Sequence, residues 1–335
     1  MKIVRTDREL ETALLDAELS RRGMLVTLPD GIDEVALAAE VADADLLLMC
    51  YTPITARVIS AATRLKGIVK YGVGIDAIDI PAAAARGIPV VNIPEYAEET
   101  VAEGAFTLMI ALMKKLVPLD RQMRAHGWAW PTPQWMGSDI AGKTVGIVGL
   151  GKIGTSFARM AGQGFRARVI AYSPGTSAAA MAAVGVEKID DLHDLLTQSD
   201  VVSLHCTLND TTRHIIGAGE LAAMKPSAFL INSSRGALVD EAALVAALTR
   251  NQIAGAGLDV FSSEPLSVSG HLMSPLFKLP NVLMLPHLTF YTAEAMDRLE
   301  RETLERCDEA LAGGPVLVKS RDPRLRAQER GVRFE

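Results

Sequence analysis

Short apolar runs alternate with longer Ala- and Leu-rich stretches along most of the chain. In the first part the runs are Lys2–Arg5, Gly23–Thr27, Asp45–Met49, Gly67–Tyr71 and Gly87–Asn92. They are rich in Val, Ile and Leu and bounded by turn residues, so each predicts a buried strand. Residues 8–20, 32–42 and 56–62 between them predict helices. Strand and helix in alternation argue a parallel sheet covered on both faces. The same rhythm returns in Val145–Val148, Arg168–Tyr172, Asp200–His205, Ala228–Asn232, Ile253–Asp259 and Asn281–Leu285, with the clearest helix at Asp240–Thr249. A second such sheet therefore runs from about Gly142 to Pro286. Residues 292–311 then predict an amphipathic helix, stopped by Gly313-Gly-Pro315.

Between the two sheets the pattern breaks. Residues 95–117 predict a helix with almost no polar face, through Val101, Ala105, Phe106, Leu108, Met109, Ile110, Leu112, Met113 and Leu116. Such a helix is buried on all sides. Two readings stay open: one face covers a second subunit in a homodimer, the favoured reading since two-fold dimers are the commonest oligomers, or the helix is wholly internal. All three tryptophans follow, Trp128, Trp130 and Trp135, in a stretch where Pro131 and Pro133 exclude α-helix. Packing anchors the loop through at least two of them, while one is a candidate pocket wall or partner contact. The tail 319–335 carries six basic and three acidic residues and reads as a solvated arm or subunit contact.

A length of 335 residues exceeds one ordinary core and makes two domains the natural expectation. A net charge of −6, from 34 basic and 40 acidic residues, argues against nucleic acid or an anionic membrane as partner. Cys50, Cys206 and Cys307 are odd in number and lack metal-ligand spacing, which predicts buried free thiols, no metal site and a cytoplasmic location. The start Met-Lys-Ile-Val-Arg has no apolar core of the signal-peptide kind, and no apolar run reaches membrane-spanning length without interruption.

The chemistry begins at Gly149-Leu-Gly151-Lys152-Ile153-Gly154, which follows the strand at Val145–Val148 and opens a helix-compatible segment. In that context Gly149 makes the tight turn, Gly151 lets backbone approach a ligand and Gly154 lets helix lie on strand. The first helical turn then offers N–H groups and a positive dipole end to a pyrophosphate. Arg235, Glu264 and His287 each lie just past the carboxyl end of a predicted strand, where open α/β sheets place their ligands. Histidine can take a hydroxyl proton near neutral pH as hydride leaves. A carboxylate beside it fixes the tautomer and favours the imidazolium. An arginine fork matches a substrate carboxylate.

These residues resemble those of the D-isomer-specific 2-hydroxyacid dehydrogenase family, in its phosphoglycerate dehydrogenase-like branch, over roughly Leu46 to Leu311. The motifs are Lys70-Tyr-Gly-Val-Gly74-x-Asp76, Val101-Ala-Glu103, the glycine loop, Asn232-Ser-Ser-Arg-Gly236, Leu258-Asp-Val-Phe261 with Glu264-Pro265, and Pro286-His287. The resemblance implies an α/β protein with two doubly wound parallel sheets. A flavodoxin-like substrate domain would span residues 1–97 and 290–335, and a Rossmann NAD(P)-binding domain residues 98–289, with crossovers near Glu95–Glu98 and Thr289–Thr292. It implies interconversion of a D-2-hydroxy acid and its 2-oxo acid, with Arg235, Glu264 and His287 catalytic. Backbone amides at Val73 and Gly74 would grip the substrate carboxylate, Asp259 would meet the nicotinamide amide, and Thr207 would line the cofactor.

Departures from the family pattern carry as much information. Ser173 stands where NAD-binding members carry an acid for the ribose hydroxyls, yet Pro174-Gly-Thr-Ser177 supplies no cation for a 2′-phosphate. NAD is the expected cofactor, with NADP open. Lys70 replaces an arginine and suits a second anionic group on the substrate, or pairs with an acid such as Glu95. Trp135 is a candidate to enter a partner's pocket, and Leu288–Thr292 is bulkier than the small residues of many relatives. The expected form is a short one, without the regulatory domain of longer phosphoglycerate dehydrogenases or their serine feedback. Two other readings are a corepressor-like, non-catalytic NAD sensor and a phosphite-type dehydrogenase. The intact Arg235, Glu264 and His287 set argues against the first, and glutamate rather than glutamine at 264 argues against formate as substrate.

Overall fold

The computed structural model describes residues Met1–Glu335. The chain begins with β1 (Lys2–Arg5), α1 (Ala13–Arg22), β2 (Met24–Thr27), α2 (Glu34–Val41), β3 (Leu46–Met49), α3 (Ala56–Ala61), β4 (Ile68–Lys70), α4 (Ile80–Ala85) and β5 (Val90–Asn92). Next come α5 (Glu98–Met113), α6 (Leu116–His126), β6 (Thr144–Val148), α7 (Lys152–Arg159), β7 (Arg168–Tyr172), α8 (Ala178–Ala183), β8 (Glu187–Lys188), α9 (Leu192–Gln198), β9 (Val201–Leu204), α10 (Ala218–Ala223), β10 (Phe229–Asn232), α11 (Glu241–Thr249), β11 (Gly255–Leu258) and β12 (Val282–Met284). It closes with α12 (Ala293–Ala312), β13 (Val316–Val318), α13 (Pro323–Arg326) and β14 (Val332–Phe334). Two compact units result, Met1–Ala97 with Thr292–Glu335, and Glu98–Tyr291.

The first unit holds a five-stranded parallel sheet in the order β2-β1-β3-β4-β5, the flavodoxin-like order. Leu46, Leu47, Leu48 and Met49 on β3 are all buried, as a central strand covered on both faces requires. Side-chain caps start the helices: Asp33 accepts from Val35 and Ala36 N–H, Thr55 from Val58, and Asp79 from Ala82. Asp7 ties down the loop after β3. Its carboxylate is buried and accepts from the N–H groups of Cys50, Tyr51 and Thr52 and from the Thr52 hydroxyl.

The tail corrects the expectation of a solvated arm. Leu325, Gln328 and Ser320 are buried, and β13 pairs with β14 in a small parallel sheet. Gln328 donates from Nε2 to Val90 O at 2.9 Å and accepts Val90 N–H on Oε1 at 2.7 Å. One side chain thus pairs the outer edge of β5 as a neighbouring strand would. Sequence pattern missed this because the segment is polar and the pairing runs through an amide side chain.

The second unit has a seven-stranded parallel sheet, β12-β11-β10-β9-β6-β7-β8, whose order on either side of β6 is that of a Rossmann domain. α5 lies close on it because β11 reads Gly-Ala-Gly-Leu. A Cβ on Gly257 would come within 3.0 Å of Leu108 Cβ. Ala102, Ala105, Phe106, Leu108, Met109, Leu112 and Met113 of α5 join Ile147, Phe157 and Ile231 in one core. The burial of α5 is therefore met within the unit, while Glu103 and Thr107 are exposed. The chain then turns at Lys115, with φ 49°, into α6, which buries none of its residues. The single predicted helix is thus two, divided by a left-handed residue that apolar patterning does not reveal. Trp128 and Trp130 are 58% and 74% exposed and stack edge-to-face on one another, centroids 6.0 Å apart. They do not anchor their loop on the core, contrary to expectation.

Candidate active site

The glycine loop is built as its spacing predicts. Gly149 turns at φ 93°, and a Cβ there would lie 2.5 Å from Cys206 N. A Cβ on Gly154 would meet Gly149 O at 2.4 Å, so the third glycine lets α7 start directly against the turn. Gly151 is the N-cap residue of α7 and has no side chain to satisfy the first amides. The space where its Cβ would point is open to 4 Å, which is what a pyrophosphate needs. Lys152 pairs with Glu98 at 2.9 Å, and Glu99 takes Ser156 and Arg159 at 2.9 and 2.6 Å, so α7 is fastened to the start of α5. Ile153, half-buried, packs toward the same core.

Around this cradle, Ser173 follows β7 with its Oγ 3.1 Å from Thr176 Oγ1, a pair of neutral hydroxyls. Thr207 is exposed after β9, and its carbonyl accepts the Thr212 hydroxyl at 2.6 Å. His205, two residues earlier, bonds Ser203 Oγ through Nε2 at 2.9 Å and meets the Phe157 ring at a tilt of 46°, centroids 5.0 Å apart. Burial lowers its pKa, which keeps the ring neutral beside the glycine loop.

Arg235, Glu264 and His287 follow the adjacent strands β10, β11 and β12. The Asn232 side chain makes the turn that carries Arg235: Nδ2 donates to Arg235 O at 2.9 Å, and Oδ1 accepts Ser234 N–H at 3.1 Å. Gly236 is needed immediately after, because a Cβ there would fall 2.0 Å from Phe261 C. Glu264 turns back on its own loop, Oε1 accepting Phe261 N–H at 2.8 Å, while Oε2 meets His287 Nδ1 at 2.8 Å. Burial pushes the Glu264 carboxyl up. The bond and charge of His287, the Phe261 N–H and the Arg235 charge outweigh it, so the pKa lies below its ordinary value. An ionised carboxylate only accepts, so His287 Nδ1 carries the proton and Nε2 is turned away from Glu264. His287 itself sits in the left-handed region, φ 59°, and its ring meets Phe290 edge-on at 6.4 Å.

Asp259 differs from expectation. It is fully buried, and its carboxylate accepts Leu288 N–H at 2.8 Å, Thr289 N–H at 3.0 Å and the Thr289 hydroxyl at 2.5 Å. In this structure it faces the loop after His287. Trp135 sits half-buried in a 3-10 turn, Pro133–Trp135.

In the first unit the edge past β3, β4 and β5 carries the other expected residues. Val73 is 38% exposed and Gly74 is partly exposed. Asn92, which motif reading passed over, donates from Nδ2 to Val73 O at 2.6 Å and fixes the turn. Lys70 is 6% exposed and donates to Cys50 O at 2.5 Å, with Cys50 Sγ at 3.2 Å and the Tyr51 ring beneath at 5.5 Å. Its ammonium is committed to Cys50 and presents little surface to a second anion. The alternative partner Glu95 faces Lys319 at 3.8 Å instead.

A dinucleotide cradle beside an acid–base pair and an arginine, all on one unit's strand ends, defines a nucleotide-dependent α/β protein of the dehydrogenase type. Comparison with known proteins narrows the class. Residues 106–289 match the family model described as D-isomer specific 2-hydroxyacid dehydrogenase, NAD binding domain. The D-3-phosphoglycerate dehydrogenase of Mycobacterium bovis is 41% identical over 285 residues, 85% of this chain and 52% of its own length. The chain thus spans about half the length of such relatives. A glyoxylate reductase of Korarchaeum cryptofilum is 41% identical over 268 residues, 79% of either chain. Among solved structures, the Aquifex aeolicus D-lactate dehydrogenase complexed with NAD and lactic acid superposes with a TM-score of 0.83. Its identity is 27%, and the match covers 93% of this chain and 96% of that one. The chain belongs to the D-isomer specific 2-hydroxyacid dehydrogenase family.

Proposed function

We propose that the protein is an NAD(P)-dependent dehydrogenase that interconverts a D-2-hydroxy acid and its 2-oxo acid. The observation that carries this is the 2.8 Å bond between His287 Nδ1 and Glu264, with Arg235 on the neighbouring strand end. Residues 98–289 are the cofactor-binding domain, and residues 1–97 with 290–335 are the substrate domain. When bound, the nicotinamide supplies or accepts the hydride. Arg235 orients the substrate by its carboxylate and polarises the neighbouring carbonyl. His287 holds or releases a proton at Nε2, and Glu264 steadies the ring and its charged form. The test is purified protein with NADH or NADPH and a panel of 2-oxo acids, with and without a second anionic group. Absence of turnover with all of them, and with the hydroxy acids in reverse, sinks the proposal.

The neutral pair Ser173 and Thr176 favours neither cofactor strongly. NADPH is expected to bind within about 10-fold of NADH, and Ser173→Asp to weaken NADPH alone by about 100-fold through like-charge repulsion. Fluorescence titration of both dinucleotides checks this, and a wild-type preference for either of far more than 10-fold contradicts it. The working form is a cytoplasmic homodimer. Its support is the uncovered apolar surface of Leu116, Met123, Trp128, Trp130 and Met136, each exposed by more than two-fifths. A monomer in sedimentation equilibrium at micromolar protein excludes that part.

A further inference from the structure

Why does His287 hold its place? A non-glycine residue at φ 59° is strained and persists only where its surroundings fix it. The fixing groups lie just downstream. The two amides after the histidine, Leu288 and Thr289, both donate to Asp259, and the Thr289 hydroxyl adds a third bond at 2.5 Å. Asp259 is itself fully buried after β11 and tied by its own N–H to Asn232 O at 2.9 Å.

The other side of Thr289 is set by α5. A Cβ built on Gly104 would stand 2.5 Å from Thr289 Cβ, 2.7 Å from Cγ2 and 3.1 Å from Cα. These are not flexible side-chain tips. The contact reaches the Thr289 backbone, so the helix could carry no side chain here without moving the loop. Gly104 otherwise has no local reason to be glycine: it lies inside a helix, where Ala is favoured.

We propose that Thr289, seated in the notch that Gly104 leaves in α5 and bonded to Asp259, is a positioning residue for His287. The inference rests on the reading of His287 as the proton-transferring group. The Thr289 methyl side fills the notch, its hydroxyl meets Asp259, and the peptide between it and His287 has one place to lie. Moving the ring by about 1 Å misaligns proton transfer and costs on the order of 10²-fold in rate.

Three variants separate the elements. Thr289→Val keeps the shape and deletes the hydroxyl, Thr289→Ser keeps the hydroxyl and deletes the methyl, and Gly104→Ala fills the notch while raising helix propensity. Thr289→Val and Gly104→Ala are expected to lower kcat by about 10- to 100-fold and shift the kcat pH profile, with the NADH Kd within about 2-fold of wild type. Thr289→Ser is expected to stay within about 3-fold, because the bond to Asp259 survives. The His287 ring, followed by NMR titration in each variant, gives a readout that needs no turnover. Wild-type kcat and an unchanged ring titration in both Thr289→Val and Gly104→Ala overturn the proposal. Should the wild type turn over no oxo acid, the functional reading fails, and the ring titration alone still decides the positioning. A shifted titration in Thr289→Val with a wild-type melting temperature supports it, and an unshifted one overturns it.

Discussion

Replacing His287 by asparagine is expected to lower kcat by about 10²–10⁴-fold, the usual share of a positioned proton-transfer group. The NADH Kd should hardly change, because the glycine loop and β7 lie elsewhere on the sheet edge. Asparagine is the informative substitution because it tolerates the left-handed backbone that position 287 adopts, as alanine does not. Loss of catalysis in this variant cannot be blamed on backbone strain. It also cannot titrate near neutral pH, so any residual rate should lose the pH dependence contributed by the ring. Single-turnover measurement of NADH oxidation with the best 2-oxo acid checks the result. A kcat within 3-fold of wild type would show the histidine to be structural, its bond to Glu264 serving only to close the loop.

Arg235→Lys should act on a different constant. Lysine keeps the charge, so the attraction to a carboxylate survives, but the planar fork and its two parallel bonds are lost. A hydrogen bond to a charged group contributes about 1.5–3 kcal/mol, so KM for the oxo acid should rise by about 10- to 100-fold. Asn232 and Ser234 shape the turn through backbone atoms of residues 234 and 235, so the loop itself should survive. Steady-state kinetics on Arg235→Lys and Arg235→Ala, with dinucleotide Kd as the control, tests this. An unchanged KM in both variants would remove Arg235 from the substrate site.

The sheets were legible because buried parallel strands read as unbroken Val, Ile and Leu runs, and the glycine loop because each glycine answers a steric need. The placement of Arg235, Glu264 and His287 on adjacent strand ends was legible because each follows an apolar run that forms a strand. What escaped was of another kind. Asp259 reads as a polar strand-end residue like the others, and only its three donors reveal a carboxylate turned inward. Lys70 reads as an anion receptor, yet its ammonium is taken by Cys50, a residue twenty positions earlier in the chain. Gly104 is one glycine in an apolar helix, and its meaning depends on Thr289 arriving from far along the sequence. Periodicity reports which face is buried and is silent on which side chain meets which.

The Gln328 amide, paired to both polar groups of Val90, sets a condition on the order in which the chain is made. The first five strands leave the ribosome early. The residue that closes their outer edge, and the α12 helix that packs on α1 and β4, are translated only after the whole of Glu98–Tyr291. During that interval the nascent sheet exposes the open rim of β5 and an apolar face, features that invite pairing with other chains. The middle unit, continuous in sequence, can fold while the first one waits. The segment that carries the glycine loop is thus complete in the chain before the residues that close the β5 edge of the other unit have been made.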